Sequence, residues 1–224
     1  MQAEEIVEKL KEQSVPEDRE GMKRFGIDTS KALGIRIPIL RKMAKEIGKN
    51  HQLAQELWDT DLHEIRILAS MIDDPKLVTE EQMDQWVKGF NSWDICDQCC
   101  MNLFDKTEFA KAKALEWSSK EEEFVRRAGF ALMASLALHR NKHNDEYFME
   151  FFPMIKEKST DERNFVKKAV NWALRQIGKR NLVLNEAAIK TAEEIQNMDS
   201  KSAKWIAMDA LRELKSEAIQ KRLS

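Results

Sequence analysis

Apolar residues recur along this chain at steps of three and four, and stretches that alternate apolar with polar residues are scarce. That is the period of amphipathic helices. Residues 3–14 place Ile6, Val7 and Leu10 on one side of a first helix. Pro16 suits the start of a second helix, with acids in its first turn, running through Met22 and Phe25 to about Gly26. Pro38 suits the first turn of a third, which keeps period through Ile39, Met43 and Ile47 until Gly48. A fourth ends near Trp58. A fifth buries Ile65, Leu68, Ala69 and Ile72 and stops before Pro75, and a sixth covers 80–89. Asn91-Ser92 then opens another helix over NSWDICDQCC, residues 91–100.

The remainder predicts helices in pairs: 106–117 with 121–138, 145–157 with 162–178, and 185–197 with 200–214. FVRRAGFAL, FVKKAVNWAL and KWIAMDAL resemble one another, and their anchors Ala128, Ala169 and Ala207 are spaced by 41 and 38 residues. That spacing is the period of HEAT-like helix pairs. The expectation is therefore an all-α chain of roughly a dozen helices, a right-handed superhelical solenoid of HEAT-like antiparallel pairs. No Pro/Gly/Ser-rich linker interrupts it, so residues 1–224 are expected to form a single domain.

Composition agrees with this reading. The chain holds only 7 Gly and 4 Pro, and 34% of its residues are charged. No apolar run approaches the ~20 residues of a membrane span, and there is no N-terminal apolar region, so neither a membrane partner nor a signal peptide is expected. The three cysteines lie within Cys96–Cys100, a poor disulfide framework that fits a reducing cytoplasm. Structural zinc wants four ligands, and no His or Cys follows CxxCC at suitable spacing. These thiols read better as small buried hydrophobes, and no metal or other cofactor is expected.

A net charge of −2 argues mildly against nucleic acid, but its distribution matters more. From Arg163 to Asn185 there are six Lys or Arg and no acid. From Phe124 to Asn144 the only charged side chains are Arg126, Arg127, Arg140 and Lys142. One basic face is the expectation, although such a run is usually a solvated helix face.

Candidate chemistry begins at Trp93 and Asp97, whose spacing puts an indole and a carboxylate on one helix face. Such a pair could press on a sugar and stabilise positive charge there. Arg127 and Trp172, from two later helices, are expected to join them on one concave surface. Each has a plain structural alternative. Both tryptophans could be core, and Asp97 and Arg127 could pair with neighbouring repeats. Asp94 reads as a helix-start or first-turn residue.

The motifs LGIxxPxxRxxxKxI (Leu33 to Ile47), ELWD at 56–59, SWDxxD at 92–97, RAxxx at 127–131 and KAxxWxLR at 168–175 occur in one order over nearly the whole length. In this the chain resembles the AlkD-type DNA alkylation repair glycosylases. The resemblance implies metal-free hydrolysis of the N-glycosidic bond of N3- or N7-alkylated purines in double-stranded DNA, by a monomer. It implies an open surface that recognises DNA through its backbone. The matching positions are Trp93, Asp97, Arg127 and Trp172, with Phe25 at an aromatic position of the second helix.

The chemistry accounts for these residue types. An N-alkylated purine is cationic and leaves readily, and cleavage develops oxocarbenium-like charge on the sugar. Asp97 would stabilise that charge and orient water. Arg127 would hold a flanking phosphate. Trp93 and Trp172 would offer π faces, at about 0.5–2 kcal/mol each. Arg126, Lys167, Lys168, Arg175, Lys179 and Arg180 would add phosphate contacts, while Arg41 and Lys45 serve as framework or phosphate contacts. Two rivals remain: a non-catalytic DNA-binding paralogue on the same scaffold, and a helical-repeat scaffold for protein interaction.

Overall fold

The computed structural model describes residues 2–139 and 143–224; Arg140 and Lys142 of the expected basic face lie outside the described residues. Among the described residues the ordered elements are helical and there is no strand. No helix among them is long and apolar enough to cross a membrane. The chain divides into two compact units, Met1–Glu108 and Phe109–Ser224.

The first unit holds α1 (Ala3–Glu12), α2 (Pro16–Lys23), α3 (Ile37–Ile47), α4 (His51–Asp59), α5 (His63–Ile72), α6 (Glu80–Lys88) and α7 (Trp93–Asn102), followed by a 3-10 turn at Phe104–Lys106. Most boundaries follow the local signals. Gln2 and Glu5 close a capping box on α1, Asn50 accepts the Leu53 N–H at the start of α4, and Gly48 ends α3 at φ 76°. The second helix is shorter than expected. It stops at Lys23, and residues 24–26 form a turn closed by Gly26 at φ 72°, so Phe25 sits on a turn rather than on the helix.

The long segment between α2 and α3 is held by one carboxylate. Glu64, on α5 and 1% exposed, accepts the N–H groups of Leu33 (2.8 Å), Gly34 (2.7 Å) and Ile35 (3.2 Å). Gly34 cannot be replaced there. Its φ is 80°, and a Cβ would lie 2.2 Å from the Val15 carbonyl oxygen. The unit's aromatic core is Trp58 stacked on Trp86 with centroids 4.1 Å apart, flanked by Phe90 and Phe104, with the Arg66 guanidinium 4.7 Å over Trp58.

The second unit holds α8 (Ala110–Ser119), α9 (Glu123–Leu138), α10 (Asp145–Met149), α11 (Phe152–Lys158), α12 (Asn164–Gly178), α13 (Leu182–Gln196), α14 (Lys201–Leu214) and α15 (Glu217–Leu223). Two expectations need correction. The helix expected over 106–117 begins only at Ala110, after the 3-10 turn. The one expected over 145–157 is two helices, because Pro153 offers no N–H to a continuous ladder and instead sits in the first turn of α11. The final α15 was not anticipated from periodicity.

Packing runs α8 on α9, α9 on α12, then α12 on α13 and α14. Ala128, Ala169 and Ala207 are all fully buried, which is where the repeat anchors should lie. Helices meet so closely at Gly129 that a Cβ would stand 2.3 Å from the Ser118 backbone nitrogen. The repeat register is written in hydrogen bonds. Arg127 Nη1 to the Phe165 carbonyl (2.6 Å), Asn171 to Asp209 (2.7 Å), Arg175 to Glu213 (2.6 Å) and Lys156 to Glu194 (2.6 Å) each span 38 residues.

Candidate nucleic-acid interface

In the first unit the site is built on α7. Ser92 precedes the helix, and its hydroxyl donates to Asp94 Oδ1 at 2.8 Å. The other oxygen of Asp94, Oδ2, lies 2.7 Å from His63 Nε2 at the start of α5, so the first turn of α7 is pinned to its neighbour. Burial opposes charge on both groups, but their mutual hydrogen bond and ionic attraction outweigh it. The imidazole is held above its ordinary range and the carboxyl below its own. His63 is 3% exposed, and its Nδ1 is buried without a hydrogen-bond partner among the described residues.

Trp93 leaves this anchored turn half-buried, and its indole N–H donates to the Phe25 carbonyl at 3.0 Å. The structure thus brings Trp93 and Phe25 together, although they are far apart in sequence. The Phe25 side chain remains 68% exposed. Asp97 follows Trp93 by one turn and is also half-buried. Phe25 lines a cleft of about 500 Å³, walled also by Met22, Ile27, Ile35 and Ile67, with His63 and Asp94 on its lining. Local sequence carried no signal for the His63–Asp94 pair, because each half is unremarkable alone. A buried-face position for His63 on its own helix is the one hint available.

Cys96, Cys99 and Cys100 on the same helix are each fully enclosed. Burial pushes the Cys99 and Cys100 thiols well above their ordinary range. They are the small apolar residues the spacing suggested. Among the described residues no group of three His, Cys, Asp or Glu is placed to hold a metal ion.

In the second unit, Trp172 is half-buried on α12, one turn after the exposed Lys168. Arg127 is 5% exposed on α9, with Nη1 on the Phe165 carbonyl. Of the six cations expected as a basic face over 163–180, three are ion-paired with acids from outside the segment. Arg163 is bound to Asp161, Arg175 to Glu213 and Lys179 to Glu213. Arg180 donates to the Ala137 carbonyl and stacks on Phe148 at 4.1 Å. Arg126 donates to the Lys120 carbonyl, Asp161 and Glu121. Lys167 lies over the Trp205 ring at 5.0 Å. The segment lacks acids of its own, but Glu213 arrives from α14, a full repeat later. Asp161 is the hub of the remainder. Burial alone would raise its carboxyl, yet hydrogen bonds from Arg163 and Arg126 hold it down at about 2.

Residues 6–214 match the family described as DNA alkylation repair enzyme. The chain belongs to that family. A curated relative, the uncharacterized protein Lin0241 of Listeria innocua, is 23% identical over 171 residues, spanning 75% of this chain and 74% of its own. Among solved structures, one is described as representing a new family of proteins related to the HEAT-like repeat DNA glycosylases, with affinity for branched DNA structures. It superposes with a TM-score of 0.79 at 19% identity, covering 95% of each chain. That likeness shows the fold: a DNA alkylation repair family member built as HEAT-like helical repeats.

Proposed function

We propose that this chain is a DNA glycosylase that hydrolyses the N-glycosidic bond of cationic N3- or N7-alkylated purines in duplex DNA. The observation that carries the reading is α7: within a chain of the DNA alkylation repair family, it presents Trp93 and Asp97 one turn apart on a helix anchored at its first turn. The base leaves with the bonding electron pair, which discharges its own positive charge, and water adds to the sugar carbon and gives up a proton to solvent. Since the leaving group needs no further activation, the protein has two tasks. A carboxylate must face the developing oxocarbenium charge, and an aromatic face must cover the sugar. Asp97 takes the first and Trp93 the second. The Phe25 carbonyl occupies the Trp93 indole N–H, so Trp93 acts through its ring. Arg127 and Trp172 are assigned by family resemblance to a flanking phosphate and to the lesion.

The test is release of free 7-methylguanine from a methylated duplex. Wild type should release it, and Asp97→Asn should slow release about 100-fold or more while keeping duplex affinity. Release unaffected by Asp97→Asn would remove the carboxylate from the mechanism.

A second reading is favoured by the fold likeness to the family with affinity for branched DNA structures. In it the chain recognises distorted or branched DNA without cutting the glycosidic bond. Salt-sensitive DNA binding without any base release would select it.

A further inference from the structure

The second unit carries an aromatic residue that the proposed glycosylase chemistry does not use. Trp205 lies on α14 with its side chain 40% exposed, and Met208, one turn on, is 65% exposed. Singly exposed apolar side chains are ordinary on a protein surface, so what distinguishes this pair is that indole and thioether stand together among cations. Lys201, Trp205, Met208 and Arg212 recur at steps of four, three and four, with Lys204 beside Trp205, and all five are exposed, so they form one stripe along α14. The neighbouring helix adds positive charge: Lys167 Nζ sits 5.0 Å from the centre of the Trp205 ring, with the exposed Lys168 next in sequence.

Two of the stripe's cations have acidic partners, which leaves Lys201 with Lys167 and Lys168 of α12 as the positive charges offered around the ring. Asp199 pairs with Lys204 at 3.6 Å, and Asp209 is bound by Arg212 and by Asn171. An indole face flanked by lysines, with a flexible thioether beside it, is the combination that holds single-stranded nucleic acid. The base stacks on the ring and the cations follow the phosphates. A second copy of this chain offers only short acidic runs such as Glu121 to Glu123, whereas a polynucleotide carries a negative charge at every step along its length.

We propose that Trp205, with Met208 and Lys167, is a stacking platform for an unpaired nucleobase of a DNA strand, in addition to any contact made at the lesion. The platform rests on the DNA-binding reading above but not on glycosidic cleavage. It gives the protein a preference for DNA in which paired and unpaired segments meet.

The test compares two probes, a blunt duplex and the same duplex with a ten-nucleotide single-stranded overhang. Wild type should bind the overhang probe more tightly, and Trp205→Ala should lose about tenfold on that probe with little change on the blunt one. Trp205→Phe should keep most of the preference while losing the intrinsic tryptophan quenching that accompanies overhang binding. Because Trp205 is half outside the core, thermal melts of these variants should match wild type. Equal overhang affinity in wild type and Trp205→Ala overturns the platform and leaves the DNA reading standing. So does a wild type that does not distinguish the two probes. Absence of binding to either probe overturns both.

Discussion

Single residues decide how charge is spent in this protein. Asp161 accepts from Arg126 and Arg163, and its carboxyl is held at about 2, below its ordinary 3.8. A carboxyl depressed in the folded state stabilises it above the unfolded pKa, and that contribution fades as pH falls through the folded one. The window is therefore about pH 4 down to 2. Discounted for partial solvent screening, the contribution is about 1–2 kcal/mol. Asp161→Asn should flatten the acid limb of a melting-temperature profile in that window. An unchanged acid limb would mean that Asp161 is not what acid attacks. This hub was not legible in the sequence. Arg126 and Arg163 read as free cations because Asp161 belongs to the turn before α12, remote from Arg126 along the chain. The local facts were legible: the exposed Lys168, the half-buried Trp93 and Asp97 on one face, and Asp94 in the first turn of its helix.

At the scale of the helix, periodicity carried most of the fold, because a side chain's burial depends on its own turn and the next. It failed where backbone chemistry overrode side-chain pattern. Pro153 divides one apolar stripe into α10 and α11, and the positive φ of Gly26 closes a turn where apolar residues seemed to continue a helix. Close helix contact was equally hidden, since a glycine inside a helix reads merely as a poor helix former. Gly129 lies where α9 meets the backbone of α8 near Ser118, so Gly129→Ala cannot gain the usual helix-propensity benefit. It should instead cost about 1–3 kcal/mol through overpacking, measured by denaturant midpoint. An alanine variant more stable than wild type would show that the two helices can separate freely.

The whole chain is nearly neutral, with 37 basic and 39 acidic side chains, so its affinity for DNA must come from where the cations stand rather than from their excess. Family membership over residues 6–214 draws on both compact units, which explains why no single motif was decisive but their order was. Alkylating electrophiles attack soft nucleophiles, and thiolates are the softest a protein owns. The three cysteines here are sealed inside α7's buried face, and burial keeps the Cys99 and Cys100 thiols protonated. Native protein treated with iodoacetamide should therefore take up no label, and denatured protein three. Labelling of the native fold would show that the helix opens readily. Sealed in this way, the three thiols meet an electrophile only when the helix around them opens, so their modification would clock that opening rather than the reagent.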